Sequence, residues 1–201
     1  MSVVRTPDER FADLPGWSRE PSYAEVEAGD GSGPVRMAYV DAGPSDGPTV
    51  LLLQGQPTWS YLYRHVIDVL VAGGARVVAP DNIGFGRSDK PVSPYDYTLA
   101  RHVGWTRSLV AGLDLRDVTL VCQDWGGPIG LSALAADPSR YRAVVAANTI
   151  LHTASSDLAG RLTWAVHGEG ESRVVVEEWL LDYLLHTQRA PRLRASDFVA
   201  G

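Results

Sequence analysis

Thr49-Val50-Leu51-Leu52-Leu53 is a continuous apolar run too short for a helix. Such a run suits a strand covered on both faces, and a strand of that kind needs a sheet packed between two other layers. The same rhythm continues along the chain. Ser60–Val71 reads as a helix, and Arg76–Ala79 as a short apolar strand ending at Pro80-Asp81. Thr98 is the expected N-cap of a helix running to about Leu113, with Leu99, Val103, Thr106, Leu109, Val110 and Leu113 near one face. Val118–Cys122 is another buried strand, Gly126–Ala136 a helix and Ala143–Ala147 a further strand. This alternation predicts an α/β fold, a mostly parallel sheet flanked by helices. Ahead of it, Gly29-Asp30-Gly31-Ser32-Gly33-Pro34 separates the strand-like runs Tyr23–Glu27 and Val35–Val40, as in a hairpin, and Gly43–Pro48 forms a second turn region.

After Asn148 the rhythm changes. Ser156–His167 and Glu171–His186 both read as helices with no strand between them. The second is apolar nearly all round, through Val174-Val175-Val176 and Trp179–Leu185, and is expected to be buried. The expected division is therefore a core over residues 1–150 and part of a helical cap over 151–201.

Charge and composition narrow the function. A net charge of −6 with no basic face argues against a nucleic-acid partner. The polar start, Met1 to Phe11, lacks the apolar region of a signal peptide, and no stretch approaches the roughly 18 apolar residues of a membrane span. With Cys122 as the single cysteine, no internal disulfide can form, which fits a reduced cytoplasmic compartment.

The chemistry centres on Val121-Cys122-Gln123-Asp124-Trp125-Gly126-Gly127. An apolar strand ends, one polar side chain follows, and glycines open a helix. This is the small-x-nucleophile-x-small pattern of a nucleophile elbow, with Asp124 as the nucleophile and Cys122 and Gly126 as the small neighbours. The helix after it points its N-terminal N–H groups at the same place, where negative charge is favoured. An Asp nucleophile forms an alkyl ester instead of an acyl-serine. The alternative is an Asp that only caps the helix. Beside such an elbow, Leu53-Gln54-Gly55-Gln56-Pro57-Thr58-Trp59-Ser60 is placed to supply one oxyanion-hole N–H and the residue after the nucleophile the other. The backbone N–H groups of Gln56 and Trp125 are the candidates. A plain Gly-Pro turn is the competing reading of that loop. Gly84-Phe85-Gly86 lacks the third glycine and following helix of a phosphate loop, so it reads as a structured loop at the sheet's C-terminal edge.

Three segments together resemble the haloalkane dehalogenases of the α/β-hydrolase superfamily. They are Gly55-x-Pro57-Thr58-Trp59-Ser60-Tyr61-Leu62-Tyr63-Arg64, Pro80-Asp81-x-Ile83-Gly84-Phe85-Gly86-Arg87-Ser88-Asp89-Lys90-Pro91, and Gln123-Asp124-Trp125-Gly126-Gly127. The resemblance covers residues 1 to about 155 and, more loosely, the start of a cap. It implies an α/β-hydrolase fold and an SN2 displacement on a small halogenated aliphatic substrate. Asp124 attacks the halogen-bearing carbon, and a histidine then activates water to hydrolyse the alkyl ester. No cofactor and no metal are implied. The halide is held by indole N–H donors, here Trp125 and, from the cap, Trp164 with Trp179 behind it. Core packing is the competing reading of both cap tryptophans.

The sequence departs from that family in three places. Gln54 stands where the family has His, and Gln can still hydrogen-bond. Gln56 stands where the family has Glu or Asn, and it mimics a halide-binding Asn only with a longer arm. The family's base histidine and one form of its acid lie beyond the cap, and Asn148-Thr149 occupies the place of the other form of the acid. None of His65, His102, His152, His167 and His186 has the family's position. The resemblance therefore implies a C-terminally truncated dehalogenase with one triad member of three, alkylated at most once, with an unpaired sheet edge, and possible partnership with a missing C-terminal segment. Two further readings stand beside it: an epoxide hydrolase, for which Tyr183 is the one available cap tyrosine, and a non-catalytic remnant.

Overall fold

In the computed structural model, residues 1–149 and 173–176 are described. Strand β1 (Val3–Val4) is followed by the hairpin of β2 (Ser22–Val26) and β3 (Val35–Ala42). Then come β4 (Thr49–Leu53), α1 (Arg64–Ala72), β5 (Arg76–Pro80), β6 (Lys90–Pro91), α2 (Leu99–Gly112), β7 (Val118–Asp124), α3 (Gly126–Ala136), β8 (Tyr141–Thr149) and β9 (Arg173–Val176). The main sheet runs β2-β3-β5-β4-β7-β8-β9, while β1 and β6 form a separate antiparallel pair. The hairpin joins β5 antiparallel, and every pairing from β5 onward is parallel. The expected hairpin, strand-helix alternation and mostly parallel sheet are all present.

Strand β4 shows why its residues need both layers. Val50 and Leu52 face Ile67, Tyr63 and Val77 on the α1 side, whereas Leu51 and Leu53 face Val110, Leu131 and Leu134 on the α2–α3 side. Leu51, Leu52 and Leu53 are all fully buried. Successive strand residues point to opposite faces, so a run buried on both sides must be apolar throughout. Each such Leu stabilises the fold by roughly 1.5–3 kcal/mol. A third cluster, containing Val35, Met37, Trp105 and Leu109, ties the hairpin to α2.

Several local expectations are corrected. The segment expected as one helix from Ser60 opens instead as a 3₁₀ turn, Ser60–Tyr63, before α1 begins. Its first N–H groups are taken outside an α-helical ladder: Ser60 donates to Asp81 Oδ1 at 3.0 Å and Leu62 to the Trp59 carbonyl at 2.9 Å. In α2, Thr98 caps as expected, its Oγ1 accepting the Arg101 N–H at 3.2 Å. The buried face turns toward Trp105, however, and Leu99 is exposed. Strands β7 and β8 each run two residues past their expected ends. The largest correction concerns Glu171–His186. Residues 173–176 are a strand parallel to β8, with Val144 opposite Val174 and Val145 opposite Val175. Three consecutive β-branched valines lose side-chain freedom in a helix and suit a pleated surface. Strand β9 therefore extends the sheet beyond β8 and is its end strand among the described residues. Ser156–His167 and the remainder of Glu171–His186 lie outside the described residues.

Candidate active site

The end of β7 and the start of α3 form a sharp turn at Asp124, whose φ of +52° lies in the left-handed region. A residue with a side chain occupies that region at a cost of about 1–2 kcal/mol, and Asp tolerates it better than most. Two close approaches hold the turn. A Cβ at Gly126 would lie 2.0 Å from the Leu53 carbonyl oxygen, and one at Gly55 would lie 2.0 Å from Asp124 Oδ1. Only glycine fits where α3 meets the end of β4 and where the following loop passes the carboxylate. From the other side, the Thr149 hydroxyl donates to the Asp124 carbonyl at 2.5 Å.

The Asp124 carboxylate accepts the backbone N–H of Gln56 at 2.9 Å through Oδ1. No side-chain hydrogen bond caps α3, so the reading of Asp124 as a mere helix cap is not what the fold uses. Among the described residues, Oδ2 has no hydrogen-bond partner and no histidine bonds to either oxygen. The loop that carries Gln56 is braced by aromatic rings. Trp59 stacks on Tyr61 at 5.5 Å and meets Phe11 and Trp17 edge-on. Arg87 lies 4.5 Å over Phe11. The backbone carbonyl of Gln54 accepts Asn82 Nδ2 at 2.9 Å. The Gln54 side chain is fully buried, and both of its amide atoms lack a partner among the described residues, so the bond expected of it is not made there.

The loop after β5 is ordered from within, as the sequence predicts. Buried Asp81 accepts N–H groups from Ser60 at 3.0 Å and Arg87 at 2.8 Å, and loss of water raises its pKa above the ordinary carboxylate value. The Ser88 hydroxyl donates to the Asp81 carbonyl and accepts the Ala38 N–H.

A cavity of about 400 Å³ opens beside these groups, and Gly55, Gln56 and Trp125 contribute to its lining. Trp125 is 47% exposed. Asn82, Phe85, Tyr97, Thr98, Leu99 and His102 complete most of the lining. The structure thus brings together Asp124, Gln56 and Trp125. Trp164, Trp179, Tyr183, His152, His167 and His186 lie outside the described residues, and His65 sits in α1. Sequence reasoning missed Asn82, Tyr97 and His102. The signal for His102 was its place one turn after the Thr98 cap, which puts both on the same side of α2. Among the described residues no group of three or more His, Cys, Asp or Glu is placed to hold a metal ion.

A sequence model of the alpha/beta hydrolase fold family matches residues 48–187. The chain belongs to that family. Within this α/β hydrolase, similarity to haloalkane dehalogenases is extensive. The haloalkane dehalogenase of Psychrobacter cryohalolentis is 52% identical over 158 residues, 79% of this chain and 52% of that protein. Haloalkane dehalogenase 1 of Mycobacterium bovis is 55% identical over 154 residues, 77% of this chain and 51% of the relative. A tetrameric haloalkane dehalogenase from Paraglaciecola agarilytica superposes with a TM-score of 0.71 at 35% identity, covering 96% of this chain and 58% of that one. An epoxide hydrolase from Vigna radiata superposes with a TM-score of 0.56 at 37% identity, covering 64% of this chain and 38% of that one. The α/β hydrolase described here thus spans about half the length of the curated relatives it matches.

Proposed function

We propose that this chain carries the displacement step of carbon–halogen bond hydrolysis, with Asp124 as the nucleophile. The observation that carries the reading is the division of labour between the two carboxylate oxygens. Oδ1 is held by the Gln56 N–H at 2.9 Å, while Oδ2 is uncommitted among the described residues. Oδ2 attacks the halogen-bearing carbon, a C–O bond forms, and the C–X electron pair leaves as halide. The Trp125 indole N–H, with Gln56 and Trp164, receives that anion; an indole donor in an apolar wall suits a soft leaving group. Oδ1 becomes the ester carbonyl oxygen. When water adds to the ester carbon, negative charge develops on Oδ1, already facing the Gln56 N–H, with the Trp125 N–H as the second donor. One such donor is typically worth about 10²–10³ in rate. Collapse expels the alkoxide, which takes up the proton released by the water and leaves as alcohol. A base that assists this step comes from outside the described residues.

The dehalogenase similarity supports this chemistry over epoxide opening. Among the described residues the cavity offers Tyr97 as its phenol, and its hydroxyl already donates to the Pro91 carbonyl at 2.8 Å. Residues 1–150 supply the core, and 151–201, apart from strand β9, supply the start of a cap. The substrate is a small halogenated aliphatic molecule. Buried, unpaired Cys122 suits a reducing, cytoplasmic setting, and among the described residues no helix is long and apolar enough to cross a membrane.

Intact-mass measurement after exposure to 1-bromobutane tests the reading. A single butyl adduct mapping to Asp124, with matching bromide release, is expected. The Asp124→Asn variant should show neither. Bromide release undiminished in that variant refutes the proposal.

A further inference from the structure

Of the polar side chains lining the cavity away from Asp124, three already make one hydrogen bond each. Asn82 Nδ2 donates to the Gln54 carbonyl, the Tyr97 hydroxyl donates to Pro91, and Thr98 Oγ1 accepts the Arg101 N–H. His102 differs. Its ring meets Trp105 edge-on at 5.1 Å and 89° and lies tilted against Tyr97 at 6.4 Å. Those contacts fix the plane of the imidazole, yet neither ring nitrogen has a hydrogen-bond partner among the described residues. Loss of water pushes its pKa down to about 4, so the ring is neutral near pH 7. A neutral imidazole offers one donor and one acceptor.

We propose that His102 is a specificity-determining contact that hydrogen-bonds a hydroxyl carried by the substrate away from its halogen, so that the cavity favours ω-haloalcohols over plain haloalkanes. This rests on Asp124 being the nucleophile. The chemistry selects among polar groups. Among the described residues a carboxylate finds no cation in the lining, because the ring is uncharged and the nearby Arg101 is paired with Asp30 and Asp96. Among the same residues an ammonium finds no carboxylate near His102 in that lining. A hydroxyl both donates and accepts, as the imidazole does. The halogen then lies near Gln56 and Trp125 and the hydroxyl near His102 in the first turn of α2. A cavity of about 400 Å³ is large enough to hold a short chain between them.

The test compares single-turnover alkylation of the 201-residue chain by 6-bromohexan-1-ol and by 1-bromohexane, below saturation and read by intact mass. One hydrogen bond predicts an alcohol-to-alkane rate ratio about fivefold higher in the wild type than in His102→Leu, with the ratio recovering in His102→Gln, which keeps a donor and an acceptor. Equal ratios in the wild type and His102→Leu overturn the inference. Absence of any Asp124 adduct with either reagent overturns the nucleophile reading, and this inference with it. A second measurement does not depend on the variants folding. In a long-range ¹H–¹⁵N spectrum of the wild-type chain, hexan-1-ol should shift the His102 ring nitrogens and hexane should not; unmoved resonances refute the contact.

Discussion

Replacing Gly55 by Ala probes the site and the fold together. The new Cβ would lie 2.0 Å from Asp124 Oδ1, 2.3 Å from Asp124 Cβ and 2.5 Å from Asp124 Cγ. All three atoms belong to one side chain, so either the loop or the carboxylate must move. Overpacking of this kind costs about 1–3 kcal/mol. Any displacement also breaks the 2.9 Å bond from the Gln56 N–H. The cost should therefore depend on what stands at position 124. In an Asp124→Gly background the obstructing atoms are gone, and glycine accepts the +52° φ without strain. Urea unfolding of the four proteins in this cycle should give a Gly55→Ala penalty of about 2 kcal/mol with Asp124 present and under about 0.5 kcal/mol without it, a coupling within the range for contacting residues. In the Asp124-containing protein, Gly55→Ala should also slow alkylation by about 10²-fold, because a carboxylate displaced by about 1 Å no longer meets the reacting carbon in line. Equal penalties in both backgrounds would show that Gly55 does not abut the carboxylate.

Two further outcomes follow from burial. Leu52→Ala should destabilise the fold by about 2–5 kcal/mol in urea melts, because Leu52 is fully buried between β4 and α1; a loss under 1 kcal/mol would contradict the two-sided packing. His102 gives a pH dependence with a definite sign. Its pKa is about 4 when folded, against 6.5 as the ordinary value. Between these values the unfolded chain binds more protons, so stability falls as pH drops from 6.5 to 4, by at most about 3 kcal/mol. Thermal melts should show that slope in the wild type and a flatter one in His102→Gln; identical slopes would exclude His102 as its source.

The sequence was most legible where chemistry and backbone share one requirement. At Asp124 the buried strand, the flanking small residues and the glycine-led helix mark the same turn, so spacing alone located it. Thr98 likewise marked the start of α2 through the bond its side chain makes. Val174-Val175-Val176 was not legible in this way. Its neighbours continue an apolar pattern that fits a helix equally well, and the choice is made by pairing with β8, some 30 residues earlier. Trp105 and His102 were obscured for a related reason. The sequence gives the period of α2, but the hairpin and the loop after β5 decide which side of it is covered. Gln54 shows a further limit, since the type of a residue does not reveal whether its amide finds a partner.

The short ribbon of β1 and β6 has a practical bearing on how the molecule is handled. Val3 and Val4 pair with Pro91 and Lys90, and the Arg5 guanidinium bonds to Asp89 at 2.6 Å. The amino-terminal residues are thus stitched to the far end of the segment whose near end carries Asn82 and Phe85 into the cavity. An affinity tag or fusion placed at Met1 would pull on that seam, and Asp89, which also accepts the Arg36 N–H of β3 at 3.0 Å, would pass the pull both to the sheet and to the segment that lines the cavity.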